Sequence, residues 1–396
     1  MRFSEIAGKT GLFVDGDWIE TKDQDTNGRV RLIQLADVGA GKFKNKSNKY
    51  ITETKAAELL CTYLKKGDIL IARLGEPLCK ACIFPCDGLY ITAVDVTILR
   101  VGNNTIEPKY LVYLINSPWF KVQVKRYESG TTRKRISRKN LDRICMNFPS
   151  LSEQKRIVAK IEELFSELDS GVETLRNTRQ QLAMYRQALY ASVYTENDMR
   201  PITDFFEISS GLTKNSKRNE LPIKRPYLRV ANVYYNELDL SEIKSIGVNE
   251  NEIAKATLRQ DDLLFVEGNG SKEQIGRVAI WDGSIKGCLH QNHIIKGRPL
   301  GQMLPQYALF YLISAYGRKQ ILDVASSTSG LYTLSANKVR NLRIPFLDSE
   351  KQKQCVSLIK ERLSVCDSIE KMVDAALQQA EVMRQSILKK AFEGEL

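Results

Sequence analysis

The sequence of 396 residues holds only two histidines, His290 and His293, so acid–base catalysis built on imidazole is poorly served. No apolar run approaches the roughly 18–20 residues needed to span a bilayer. The opening Met1-Arg2-Phe3-Ser4-Glu5-Ile6 has no apolar core of a signal peptide. Eight cysteines are scattered along a long chain, unlike a secreted disulfide framework. A reducing, cytoplasmic setting without a membrane partner is expected. An adenine methyltransferase would carry Asn/Asp-Pro-Pro-Tyr/Phe, and the nearest string, Asn147-Phe148-Pro149-Ser150, is not that motif. Gly39-Ala40-Gly41-Lys42 imitates a phosphate loop, but Phe43 replaces the magnesium-binding Ser/Thr and Ala36 the first glycine. Cys79, Cys82 and Cys86 lack a close fourth ligand for zinc, and Cys288, His290 and His293 are equally sparse. No metal and no catalytic centre are expected.

What is present is positive charge and a repeat. Lys and Arg number 59 against 47 acidic residues, a formal +12. With 43% hydrophobic residues the chain can build real cores, so the charge points to a polyanionic partner, nucleic acid first. Six segments recur in the same order at an offset of about half the chain. Leu32-Ile33-Gln34-Leu35-Ala36-Asp37-Val38 matches Tyr227-Leu228-Arg229-Val230-Ala231-Asn232-Val233. Leu64-Lys65-Lys66-Gly67-Asp68-Ile69-Leu70 matches Leu258-Arg259-Gln260-Asp261-Asp262-Leu263-Leu264. Pro108-Lys109-Tyr110 matches Pro305-Gln306-Tyr307, and Tyr113-Leu114-Ile115 matches Tyr311-Leu312-Ile313. Ile136-Ser137 matches Leu334-Ser335, and Ser152-Glu153 matches Ser349-Glu350. The second copy has Gly276, Ala279 and Gly283 where the first has its cysteines, so the shared fold does not need the thiols.

Each half therefore reads as a mixed α/β domain followed by a helix of about 40 residues, roughly 60 Å long. Ser150-x-x-Glu153 after Pro149 is a capping-box start, and Asp348 or Ser349 after Pro345 is the second N-cap. In the first helix Ile161, Leu168, Leu175, Leu182 and Leu189 form a seam at seven-residue spacing, with a mixed second column at Ile157, Leu164, Gly171, Thr178, Tyr185 and Ser192. The second helix repeats this more loosely through Ile359, Cys366, Val373, Ala380 and Ile387, with Ile369, Ala376 and Met383 between. Two apolar seams in one chain are expected to pack on each other, and a two-fold relation between the copies makes the helices antiparallel. The expected fold is α+β: two pseudo-two-fold-related domains, 1–150 and 198–347, separated by a coiled coil of 151–197 and 348–396.

Leu151-Ser152-Glu153-Gln154-Lys155-Arg156-Ile157-Val158-Ala159-Lys160-Ile161 resembles the central conserved segment of type I restriction–modification specificity subunits. The ending, from Met383-Arg384-Gln385-Ser386-Ile387 to Ala391-Phe392-Glu393-Gly394-Glu395-Leu396, resembles their distal segment. In motif the resemblance covers the helices, and in layout the whole chain. It implies that each globular half reads part of an asymmetric, two-part site in double-stranded DNA. It further implies that the helices set the gap and dock two methyltransferase subunits, joined by motor–nuclease subunits. S-adenosylmethionine, ATP and magnesium are then expected on those partners and not on this chain.

Candidate DNA contacts follow from charge and loop chemistry. The stretch 125–143 holds Lys125, Arg126, Arg133, Lys134, Arg135, Arg138, Lys139 and Arg143 against Glu128 and Asp142, around Ser129-Gly130-Thr131-Thr132. Its counterpart, 326–333, keeps the hydroxyls and Tyr332 but not the charge. A second pair of loops follows the Asp68 and Asp262 strands: Arg73-Leu74-Gly75-Glu76, and a longer one with Asn269, Ser271, Lys272 and Gln274. A third comprises Lys42, Lys44 and Lys46 in the first half and Lys214, Lys217, Arg218 and Arg229 in the second. Two other readings stay open: a DNA-modifying enzyme acting alone, and a coiled-coil scaffold.

Overall fold

The computed structural model describes residues 1–192, 198–269, 271, 274–328 and 331–396. It divides into two units, Met1–Leu175 with Asp374–Leu396, and Arg176–Val373. No helix among the described residues is long and apolar enough to cross a membrane.

The first unit begins with α1 (Phe3–Ala7) and is built on an antiparallel sheet in the order β1 (Leu12–Asp15), β7 (Val96–Arg100), β4 (Ile69–Ala72), β5 (Lys80–Ile83). The run Ile69-Leu70-Ile71-Ala72 is apolar without alternation because both faces of β4 are covered. Ile69 and Ile71 face a core shared with Phe3, Leu111, Ile115 and Phe120, while Leu70 and Ala72 face a smaller one around Phe84 and Val96. A second sheet, β3 (Lys49–Ile51), β2 (Val30–Ile33), β6 (Tyr90–Thr92), has one antiparallel and one parallel pairing. Short α2 (Glu53–Glu58) follows it. Over the larger core lie α3 (Pro108–Asn116) and α4 (Pro118–Lys125). Ser117 joins them: its hydroxyl donates to the Leu114 carbonyl at 2.7 Å and accepts from the Phe120 N–H at 3.3 Å, capping α4. Then come α5 (Arg138–Leu141) and the long α6 (Leu151–Ser192).

The second unit repeats this plan in its two main sheets. After β8 (Met199–Pro201), its antiparallel sheet is β14 (Val278–Ile280), β12 (Leu263–Val266), β16 (Ile294–Pro299), β9 (Phe206–Ser210). Its mixed sheet is β11 (Lys244–Val248), β10 (Ile223–Leu228), β15 (Leu289–His290), again with one parallel pairing. Between these lie α7 (Glu250–Ala256) and β13 (Gly268–Asn269). The chain continues through α8 (Pro305–Ile313), α9 (Ala315–Val324), β17 (Ser326–Thr328), β18 (Leu331–Thr333), α10 (Ala336–Arg340), β19 (Arg343–Pro345) and α11 (Ser349–Glu393). Ser314 repeats the role of Ser117, donating to Tyr311 and accepting from Gly317.

Two buried polar devices are duplicated with the fold. Asp68 receives Arg100 at 2.8 and 2.7 Å, and Asp262 receives Arg298 at 3.0 and 2.8 Å. Gln154 accepts from the Glu107 N–H and donates to the Thr105 and Pro149 carbonyls; Gln352 does the same with Leu304, Gln302 and Leu347. Each amide fastens the first turn of a long helix to the globular part of its own unit. Burial without loss of hydrogen bonds is what makes such a tie specific.

The first helix start differs in detail from expectation, and the second decides between its two candidates. Ser150 Oγ accepts from the Glu153 N–H at 3.3 Å, but the Glu153 carboxylate turns to Arg156, so the capping box is half formed. Asp348, not Ser349, caps α11 by accepting from the Lys351 N–H at 3.0 Å.

Within the first unit the start of α6 runs antiparallel to the end of α11. Arg156 reaches the Leu396 carbonyl, and Asp169 meets Arg384. The first helical turns also pack on their own globular part, since Ile157, Val158 and Ile161 share one core with Leu111, Leu388 and Ala391. In the second unit Arg186 of α6 meets Asp367 and Glu370 of α11, and Val356 and Ile359 join the core around Phe310. Along α6, Ile161 and Leu182 are buried and Leu168, Leu175 and Leu189 half-buried. The expected second column holds in part: Ile157 is buried and Leu164 and Thr178 are half-buried. Gly171 and Tyr185 are exposed, and Phe165, Val172 and Arg186 are half-buried as well. These three stand four residues after Ile161, Leu168 and Leu182, the three-four alternation of a heptad. On α11, Ile359, Cys366, Val373 and Ala380 are buried and Ile387 half-buried, while Met383 is exposed.

Candidate nucleic-acid interface

In both units the fold brings together two of the loop pairs singled out by their chemistry. In the first, Leu74 bridges Arg135, Ser129 bridges Arg135, and the Gly75 N–H donates to the Lys134 carbonyl at 3.1 Å. In the second the same places form a regular sheet, β13-β18-β17, in which Gly268 and Asn269 pair with Thr333 and Tyr332. The base of each strand-end loop is held by a cation from the helix behind it. Lys121 Nζ donates to the Leu78 and Cys79 carbonyls at 2.7 and 2.8 Å; Arg318 donates to Ile275 and Gly276 at 2.7 and 3.1 Å. Burial of the Lys121 ammonium lowers its pKa to about 8. Neither cation was picked out from the sequence, although both stand at the repeat offset.

Several candidate cations are spent inside the fold. Arg73 is mostly buried, beside Asp15 at 3.1 Å, and donates to the Ile136 and Val94 carbonyls. Arg218 is held by both Glu252 oxygens and by the Thr213 and Gly247 carbonyls. Arg229 pairs with Glu242 at 3.1 Å. These three serve as internal braces and not as free contacts, a correction that follows from carboxylates distant in sequence. Lys42, still largely exposed, reaches Asp169 of α6 at 3.1 Å. Lys134 pairs with Glu128, and Arg138 lies over the Phe13 ring near Asp15.

Thr131, Thr132, Arg133, Arg135, Lys44, Lys46, Lys214 and Lys217 are exposed. Ser271, Gln274 and Tyr332 are half-buried, with Gln274 accepting from Arg277 at 3.4 Å. The backbone of Asn269 is in β13; Lys272 and the Ser329-Gly330 step lie outside the described residues. Charge follows the globular parts: residues 1–150 carry +9 and 198–347 carry +5, while 151–197 and 348–396 carry −1 each.

The metal-like spacings point elsewhere. Cys79 and Cys82 lie in different cores: Cys79 stands in the left-handed turn just before β5, and Cys82 lies within β5. Burial raises their thiols to about 11 and about 12. His290 is fully buried with Nδ1 on the Ile294 carbonyl at 2.8 Å, and burial lowers its pKa to about 4. His293 faces outward to Glu267 at 2.8 Å.

Comparison with known proteins agrees with this duplicated geometry. A family model described as the type I restriction modification DNA specificity domain matches twice, at residues 12–177 and 194–379. The chain is 27% identical over 310 residues to the type I restriction enzyme EcoKI specificity subunit of Escherichia coli K12, covering 72% of this chain and 65% of that protein. It is 25% identical over 311 residues to the StySPI specificity subunit of Salmonella potsdam, covering 74% and 66%. The chain thus spans just under two-thirds of the length of these relatives. Among solved structures, a chain from a study of assembly and conformational transition in the type I R-M system has the same fold, with a TM-score of 0.73 at 17% identity, covering 100% of this chain and 97% of that one. The HsdS subunit from Thermoanaerobacter tengcongensis gives a TM-score of 0.54 at 17% identity, covering 98% and 99%. With two copies of the family model spanning most of its length, the chain belongs to the type I restriction–modification DNA specificity family.

Proposed function

We propose that this chain is the DNA-reading subunit of a type I restriction–modification complex, with no catalytic centre of its own, acting in the cytoplasm. One observation carries this reading: the same joined loop pair occurs at the same place on two copies of one fold, with unlike residues in the two copies. Identical readers on a two-fold would select a palindrome, so unlike readers select a target with two unlike halves. The long helices, of 42 and 45 residues, set the gap between those halves and dock two methyltransferase subunits. S-adenosylmethionine is then bound by the methyltransferases, and ATP and magnesium by motor–nuclease subunits. The exposed Thr131, Thr132, Arg133 and Arg135 of the first unit, and the half-buried Tyr332 of the second, are the foremost contacts, with Lys44, Lys46, Lys214 and Lys217 on phosphates.

The test is selection from a pool of random duplexes by the chain purified with its methyltransferase subunit. Two unlike fixed clusters separated by an unspecified stretch are expected. Recovery of no preferred sequence would refute the reading, and modification or cleavage of DNA by the chain alone would favour an enzyme acting by itself.

A further inference from the structure

Lys121 and Arg318 hold the same turn in the two units, although the loops that the turn closes differ. Between Asp68 and Cys79 the offset to the second copy, Asp262 and Gly276, grows from 194 to 197, so the strand-end loop of the second unit is three residues longer. Each loop nevertheless returns through a left-handed residue, Cys79 with φ 56° and Gly276 with φ 61°. The N–H of that residue closes the base of the loop on the outgoing strand. Cys79 donates to the Ala72 carbonyl at 2.8 Å, and Gly276 to the Val266 carbonyl at 3.2 Å. The carbonyl of the same residue and the one before it both accept from the cation. Each cation stands four residues after the serine that caps its helix, Ser117 or Ser314, which ties it to the core of its unit.

The turn lies at the boundary between strands that both copies keep and a loop that they vary in length and sequence. The strand-end loop is in turn joined to the second loop of its pair. The Ile136 N–H donates to the Arg73 carbonyl at 3.0 Å, and the Leu334 N–H to the Glu267 carbonyl at 2.6 Å. A shift at the turn therefore moves both loops of that unit. Groups that pair with base edges act only in close contact, so they depend on such a support. Resting on the DNA-reading function proposed above, we infer that Lys121 and Arg318 are positioning residues for recognition. Each holds the loop pair of its own unit in place and governs discrimination at one half of the target, without touching DNA itself.

The experiment uses the assembled complex with its methyltransferase subunits and three duplexes: the target, and the target with either half scrambled. Lys121→Met removes a charge-assisted pair of hydrogen bonds from the turn. It should lose about tenfold of the preference that depends on one half and keep the other within about twofold. Arg318→Met should do the same at the opposite half. Lys121→Arg keeps a cation and should keep both preferences. The unaltered complex supplies a second readout that needs no variant. The Lys121 ammonium faces the Cys79 thiol and Lys80, and burial brings its pKa down to about 8. The Arg318 guanidinium, over the Tyr235 ring, stays charged. As pH rises through about 8, the half governed by Lys121 should lose discrimination while the other holds, and Lys121→Arg should abolish the difference. Equal loss at both halves, or full discrimination at both in Lys121→Met and across the pH series, would overturn the positioning role. If the unaltered complex prefers no duplex at all, the DNA-reading proposal itself fails instead.

Discussion

Arg186 donates to Asp367 at 2.7 Å in the second unit, and the same pair recurs in the first as Arg384 with Asp169, each partner moved by 198 positions and the two helices exchanged. In both, the arginine also has an aromatic or acidic neighbour: Phe165 beneath Arg384, and Glu370 beside Arg186. A duplicated helix pairing with its copy produces this exchange, because residue i of one meets residue j of the other and the converse. The pairs are partly exposed, so they fix register more than they add stability. A double-mutant cycle on Arg186→Ala and Asp367→Ala should give a coupling of about 0.5–1 kcal/mol in urea unfolding, falling with added salt.

Leu182 is buried in the seam of α6, whereas Leu168 is half-buried. A carboxylate at 182 loses apolar contact and must keep or shed its charge away from water. Leu182→Glu should lower stability by about 2–3 kcal/mol, more than Leu168→Glu, as read from thermal unfolding.

Gln154 and Gln352 each satisfy three backbone groups at a helix start. Truncating either to alanine leaves an N–H and two carbonyls without that partner in a buried setting. Each change should cost about 2–3 kcal/mol by denaturant unfolding. Glutamate at the same place could accept from the N–H but not donate to both carbonyls, so it should not restore stability.

His290 gives a pH dependence with a definite sign. Burial first, then neighbouring Lys296, lower its pKa from 6.5 to about 4, opposed by the bond to Ile294. Between these values the unfolded chain takes up a proton that the folded chain does not. Stability should therefore fall as pH drops from about 6.5 towards 4, by about 3 kcal/mol from this group. Melting curves of the protein and of His290→Gln over that range should differ in slope, the variant being flatter.

The long helices were readable because Ile161, Leu168, Leu175, Leu182 and Leu189 repeat at a period that only a helix satisfies. The second column is only partly readable, because Tyr185 is apolar enough to look inward and is exposed, while the half-buried Arg186 carries a charge. Its inclusion depends on Asp367, 181 positions away. Arg73, Arg218 and Arg229 looked like free cations for the same reason: side-chain direction is decided by Asp15, Glu252 and Glu242, which no local pattern links to them. Lys121 and Arg318 were passed over because a cation on an apolar helix reads as surface, yet the repeat itself could have paired them. The joining of the strand-end loops to 129–135 and 326–333 was beyond reach, since it arises from strand pairing between distant segments.

The central claim is that two unlike readers each govern one part of the target. Its most direct measurement is to replace residues 1–150 with the corresponding domain of another member of the family, express each protein with its methyltransferase, and map the modified bases by direct sequencing. A split, asymmetric motif in which one half changes and the other half stays is the expected result. A palindromic motif, or one in which both halves change together, would contradict the account.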